Sequence, residues 1–152
     1  RYYMIKQFEN HDNAESHEVS TAREILEQMG SNLDVLVCGV GTGGTITGIA
    51  KVLKATIPGI KIVAVEPFNS AVLSGKPAGT HKLQGIGAGF IPSVLNSELI
   101  DEIIPVKDDE AINTCRAMAS KEALLLGISS GAAIFAALTI ARQIGKDKKI
   151  LA

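Results

Sequence analysis

The 152-residue sequence has almost no excess of charge of either sign: fifteen Lys and Arg stand against sixteen Asp and Glu, for a formal net charge of −1. That balance gives no support to nucleic-acid binding or to an anionic membrane surface, both of which call for a basic excess. No apolar run approaches the length of a membrane span, and no signal-peptide pattern opens the sequence. There are only two cysteines, Cys38 and Cys115, with no C-x-x-C pair and no metal-ligand spacing among the three histidines. The two thiols read as reduced core residues of a cytoplasmic protein, and no metal site is expected. Internal repeats and low-complexity tracts are also missing. Glycine is plentiful, at fifteen residues. The glycines cluster, so they mark particular turns rather than a disordered tract. With 46% apolar and 20% charged residues, the chain suits a single globular domain with a sizeable core.

Hydrophobic periodicity predicts an α/β chain. Residues 1–15 are polar and irregular after the first few and read as a loop. From Ser16 or Ser20, the spacing of Val19, Ala22, Ile25, Leu26 and Met29 predicts a helix that stops at Gly30. Asp34 to Cys38 (DVLVC) and Lys61 to Val65 (KIVAV) read as strands buried on both faces of a parallel sheet. A helix from about Gly44 to Thr56 lies between them. Residues 68–92 form a long, Gly-rich segment, and a loop of that length in a compact domain is usually functional. LIDEIIPV (99–106) holds a third strand. Asp108 or Asp109 can cap a helix carrying Ile112, Cys115, Met118 and Ala119. LLLGISSGAAIFAAL then repeats the theme of strand-like apolar run, small-residue turn and helix, to about Ile144, and a strand begins at Lys149. The alternation predicts a parallel sheet covered by helices on both faces, with ligands outside the carboxyl ends of its strands. The sequence opens on RYYMIKQF without an initiator methionine and stops just as that last strand begins. Both ends read as cuts, so a piece of a larger protein is expected.

Three turns carry candidate chemistry. In LVCGVGTGGTITGIAKVL (36–53), Gly39, Gly41 and Gly44 match G-x-G-x-x-G, and converging backbone N–H groups at a helix start suit phosphate. A Walker loop is excluded, because Thr45 stands where the lysine is required. A dinucleotide site stays open, since Glu66 ends the next strand about twenty residues on, where a ribose-binding acid belongs. A different phosphate and a ligand-free turn stay open too. Thr42 and Thr45 add hydroxyl donors suited to a compact terminal phosphate. In HKLQGIGAGFIP (81–92), Gly85, Gly87 and Gly89 let the chain approach a planar ligand or a carboxylate closely; the alternative is a flexible surface loop. His81 by itself reads as a surface histidine. In GISSGAA (127–133), Ser129 or Ser130 reads as a helix N-cap, or as a hydroxyl facing a ligand shared with the first loop. No histidine in a G-x-S-x-G context makes it a nucleophile.

Taken together, EPFNSAVLSGKPAGTHKLQGIGAGFIPSVL, VGTGGTITGI and LLLGISSGAA resemble the O-acetylserine sulfhydrylase (cysteine synthase) family of pyridoxal-phosphate enzymes, in the same order and spacing. QFENHDNAESH also resembles that family's segment entering the large domain. VSTAREIL departs from the family's usual TTGPEIW-like stretch. The resemblance implies a three-layer α/β sandwich with a mostly parallel sheet, the tryptophan synthase β-like fold, in truncated form: residues 1–152 as a single large domain without the small one. It implies pyridoxal 5'-phosphate as cofactor, held non-covalently at most by this chain, with Gly41, Thr42, Gly43, Gly44 and Thr45 around its phosphate and Ser129 facing its ring nitrogen. Gly85, Gly87 and Ala88 would lie beside the substrate, and Glu66 would lose any ribose role. The implied activity is replacement of the acetate of O-acetylserine by sulfide, in a homodimeric enzyme whose cleft accepts the C-terminal peptide of serine acetyltransferase. The family's Schiff-base lysine lies in an S-S-S-V-K-like stretch that this sequence does not contain, so no catalytic residue is assigned and the chain alone is expected to be inactive.

Overall fold

The computed structural model describes residues 2–152. Helices α1 (Asp12–Val19) and α2 (Thr21–Met29) lead into strand β1 (Val35–Gly39), helix α3 (Gly44–Thr56) and strand β2 (Lys61–Pro67). A long segment follows, with only short 3-10 turns at Phe68–Ser70 and Ser97–Leu99. Strand β3 (Glu102–Val106), helices α4 (Asp108–Glu122) and α5 (Ile128–Ile144), and the short strand β4 (Ile150–Leu151) complete the fold. All pairings are parallel and the strand order is β3-β2-β1-β4.

The central strands are apolar on both faces because each face meets a helical layer. On one side Leu36, Ile62 and Ala64 pack with Ala22 of α2 and with Ile46, Ile49, Ala50 and Leu53 of α3. On the other, Val35, Val37, Val63 and Val65 pack with Ala111 of α4 and Ala132, Ala136 and Ile140 of α5. The result is the three-layer sandwich expected from the sequence. Cys38 belongs to the first core. Burial pushes its thiol up to about 11, so it stays protonated and packs as a small hydrophobe.

Four local expectations are corrected. The predicted loop over residues 1–15 contains the first half of α1, and the single helix from Ser16 or Ser20 is two helices parted at Ser20. Periodicity missed α1 because DNAESHEV has no apolar stripe; only Ala14 is buried. The helix is held by docking on α3, where Gly44 and Gly48 give it room. A Cβ at Gly48 would lie 2.2 Å from the Ala14 carbonyl oxygen. Second, α4 is not capped by Asp108 or Asp109. Lys107 is its N-cap residue, with its N–H donating to the Glu110 carboxylate at 2.8 Å. Third, Gly127 and not Ser129 or Ser130 is the N-cap of α5. Fourth, Leu124–Leu126 form no strand; they lie exposed between α4 and α5.

Candidate functional site

The strand order reverses at β1, which has β2 on one side and β4 on the other. The carboxyl end of β1 is therefore the place where a ligand is expected in a sheet of this kind. There the chain leaves Gly39, turns through Val40–Gly43 and starts α3. Gly43, the N-cap, has φ +83°, and no side chain caps the helix. The N–H groups of Gly44, Thr45 and Ile46 have no partners within the helix, and they carry the positive end of its dipole. Gly44 N–H reaches only Thr42 Oγ1, at 3.3 Å.

The glycines are fixed by what surrounds them. A Cβ at Gly41 would sit 2.4 Å from the Gly85 carbonyl oxygen, and one at Gly43 would sit 2.7 Å from Leu95 Cβ. The backbone of the 81–92 segment therefore lies against the first loop. Its Gly85, Gly87 and Gly89 all have positive φ, which explains their alternation with small residues. Gly87 N–H donates to the Val40 carbonyl at 2.9 Å, and His81 Nε2 meets the Gly87 carbonyl at 3.1 Å. A carbonyl only accepts, so Nε2 carries the proton, and the buried Nδ1 is left without a partner. His81 is thus a latch for this loop and not a free surface side chain. Asp108, in place of capping α4, accepts from Lys82 N–H at 3.1 Å and pins the start of the same loop.

Two pockets open where the loops meet. One, of about 230 Å³, is lined by Gly39, Gly41, Thr42, Gly43, Thr45, Ile46 and Gly85. The other, of about 410 Å³, is lined by Gln7, Phe8, Gly41, Thr42, Gly85, Ile86 and Ala88. The aromatic wall of the second comes from Phe8, edge-on to Phe90 at 5.2 Å between centroids. Gly41, Thr42, Gly43, Thr45, Gly85 and Ala88 are thus brought together. Gly44 lies buried behind the loop against Asn13. Gly87 faces a smaller cavity behind the loop, together with Glu66 and Ser70. Ser129 lines neither pocket. It stands at the second position of α5, half-buried. Because α5 runs back to feed the parallel strand β4, its N-terminus lies at the same sheet edge as the glycine loop.

Glu66 cannot serve a ribose. It is 2% exposed, and its carboxylate accepts Leu73 N–H at 2.8 Å, Ser74 N–H at 3.0 Å and the Ser74 hydroxyl. Those bonds hold the 71–74 segment, and with them the dinucleotide reading of G-x-G-x-x-G falls. Sequence reasoning missed Asn13 and His17 of α1. Asn13 Nδ2 donates to Thr42 Oγ1 at 3.0 Å, and His17 Nε2 meets Thr45 Oγ1 at 3.1 Å. Their only signal was a place within QFENHDNAESH, with no periodicity to flag them.

The loop fits a phosphate group. It offers free N–H groups at a helix start, two hydroxyls, and a cradle that a Cβ at Gly41 or Gly43 would fill. Comparison with known proteins agrees. The family described as pyridoxal-phosphate dependent enzyme matches residues 1–152. A cysteine synthase of Staphylococcus aureus (strain Mu50 / ATCC 700699) is 52% identical over 151 residues, covering 99% of this chain and 49% of that protein. The crystal structure of cysteine synthase from Entamoeba histolytica superposes with a TM-score of 0.95 at 46% identity, covering 99% of this chain and 44% of that one. A hydrogen sulfide-producing enzyme from Fusobacterium nucleatum gives a TM-score of 0.95 at 42% identity, covering 99% and 52%. The chain spans about half the length of the relatives it matches. By sequence over its whole length, by fold, and by the build of its glycine loop, the chain belongs to the pyridoxal-phosphate dependent enzyme family.

Proposed function

We propose that this chain is the cofactor-phosphate-binding part of a cysteine synthase, an enzyme that replaces the acetate of O-acetylserine by sulfide. The observation that carries this reading is the cradle from Gly41 to Thr45, shaped for one compact phosphate and braced by the 85–89 loop. The names of the relatives support the choice of reaction.

When bound, pyridoxal 5'-phosphate supplies an electron sink for negative charge at the substrate's α-carbon. This chain's residues bind and orient. Gly41, Gly43 and Thr45 bring backbone N–H groups to the phosphate, Gly44 supports them by donating to Thr42 Oγ1 and packing on α1, and Thr42 and Thr45 add hydroxyls. Gly85 and Ala88 form the substrate side, where small residues allow close approach, and Gly87, turned toward Pro67 and His81, sets the shape of that loop. Ser129 would offer a neutral hydroxyl to the ring nitrogen of the bound cofactor. It can hydrogen-bond there without giving up a proton, which favours elimination and replacement over transamination. No lysine of this chain is assigned as covalent anchor and base. Lys51, Lys54, Lys61 and Lys148 are engaged in ion pairs, and no lysine lines either pocket.

The test is cysteine formation from O-acetylserine and sulfide with added cofactor. The 152-residue chain alone is expected to give no turnover, and clear turnover overturns the assignment of the base outside it. In a longer protein that joins this chain to a lysine-bearing domain, cofactor binding without conversion of O-acetylserine overturns the choice of substrate.

A further inference from the structure

The two threonines of the cradle are held from behind by α1, and for Asn13 the direction of the hydrogen bonds is readable. Asn13 Nδ2 donates to the Gln7 carbonyl at 2.8 Å as well as to Thr42 Oγ1 at 3.0 Å. A carbonyl cannot donate, so the amide is oriented with its NH₂ on this side. Thr42 Oγ1 also accepts from Gly44 N–H at 3.3 Å. With both of its lone pairs engaged, the Thr42 hydroxyl has only its proton left to offer. Thr45 is served in parallel, one helical turn along. His17, at i+4 from Asn13, places Nε2 at 3.1 Å from Thr45 Oγ1 and Nδ1 at 2.9 Å from Thr21 Oγ1. A neutral imidazole has one donor and one acceptor. With the proton on Nε2, Thr45 accepts from the ring and its own proton is free, while Nδ1 accepts from Thr21.

We propose that Asn13 and His17 are positioning residues that fix the hydrogen-bond polarity of the cradle, turning both threonine hydroxyls into donors toward the pocket. A site polarised this way selects a group made only of acceptors, a deprotonated phosphate monoester, over a ligand that brings hydroxyl or amine donors. This rests on the phosphate reading of the loop. It adds that the selectivity is set from α1, the helix without an apolar face. The same crossing accounts for Gly44, where a Cβ would lie 2.0 Å from Asn13 Oδ1.

The experiment uses the full chain, with inorganic phosphate and pyridoxal 5'-phosphate as probes by calorimetry. His17→Leu and Asn13→Leu, which remove the donors, are expected to weaken binding of both probes by about tenfold each. His17→Gln, which keeps a donor within reach of Thr45, is expected to stay within about threefold. A measurement on the unsubstituted protein does not depend on variants folding: nitrogen-15 NMR of the His17 ring is expected to show Nε2 protonated and Nδ1 bare. A ring protonated on Nδ1 alone, or leucine variants that bind phosphate as well as the parent, overturns the polarity while leaving the cradle standing. A parent protein that binds neither probe overturns the cradle, and the polarity with it.

Discussion

The chain has two turns of the same outward kind, in which an apolar run meets small residues and a helix begins. The first, at Val40–Gly44, is packed against neighbours wherever it does not face the two pockets. Its glycines touch Gly85, Leu95 and Asn13, and its hydroxyls are braced by α1. The second, at Gly127–Ser130, is open, and only Gly131 behind it meets α4, where a Cβ would lie 2.3 Å from the Ala111 carbonyl oxygen. Gly127 caps α5 at an ordinary φ of −71° and has nothing within 4 Å of where a Cβ would stand. The leucines before it are exposed, Leu125 at 92%. The lesson is that a glycine's meaning lies in its neighbours. In the first turn glycine is required by contact; in the second it is a convenient cap. The walls of the first turn are built within this chain, whereas Ser129 lines neither of the two pockets where the loops meet.

Substitutions can break that contrast. Gly41→Ala forces a Cβ against the Gly85 carbonyl. It is expected to cost about 2–3 kcal/mol in denaturant unfolding and to weaken binding of the cofactor by about a hundredfold. Gly127→Ala, the matching change in the open turn, is expected to cost less than about 1 kcal/mol. Equal costs at the two positions would erase the contrast. Next comes Glu66→Gln, which turns an amide NH₂ or a weaker acceptor toward three donors. A loss of about 1–3 kcal/mol is expected, read by denaturant unfolding. His81→Ala removes the latch on Gly87 and is expected to cost about 1 kcal/mol. Its signature is faster amide exchange at 85–89 with no change around Ser129, and uniform change across both turns would contradict the latch.

The smallest effect concerns pH. Burial raises the Asp101 carboxyl, but the hydrogen bonds from Lys54 and Ile62 N–H and the charges of Lys54 and Lys61 outweigh it and hold it below the usual carboxylate range. A depressed native value means that the contribution is present above the ordinary aspartate range and is lost as pH falls through the native value. The pair is substantially exposed, so screening keeps the loss under about 1 kcal/mol. Asp101→Asn is expected to flatten that part of the acid unfolding curve, and an unchanged curve would dismiss the pair.

Most of the sandwich was legible because its strands are apolar on both faces and its central helices carry clear stripes. The bounds of α3 came directly from the glycine turn before it and Pro58-Gly59 after it. What was not legible depends on tertiary contact. α1 has no periodicity of its own and exists by fitting over Gly44 and Gly48. The caps of α4 and α5 were misjudged because Asp108 is drawn to Lys82 N–H, and the serines of GISSG fall inside the helix. Leu124–Leu126 have strand-like composition but no neighbouring strand to pair with. In the site, spacing left a dinucleotide turn, another phosphate loop and a ligand-free turn open, and only the family resemblance singled out Gly41–Thr45 for a cofactor phosphate. The dinucleotide alternative could be removed only by seeing Glu66 occupied, and the support from Asn13 and His17 only by seeing α1.

The central claim is that the loop recognises a phosphate ester through its backbone and two threonines. The most direct measurement is a paired titration of the full chain with pyridoxal 5'-phosphate and with pyridoxal, followed by absorbance and calorimetry, with NAD as a third ligand. The account predicts tight binding of the phosphorylated form, markedly weaker binding of pyridoxal, and none of NAD. Equal affinity for pyridoxal and its phosphate, or saturable binding of NAD, would contradict it.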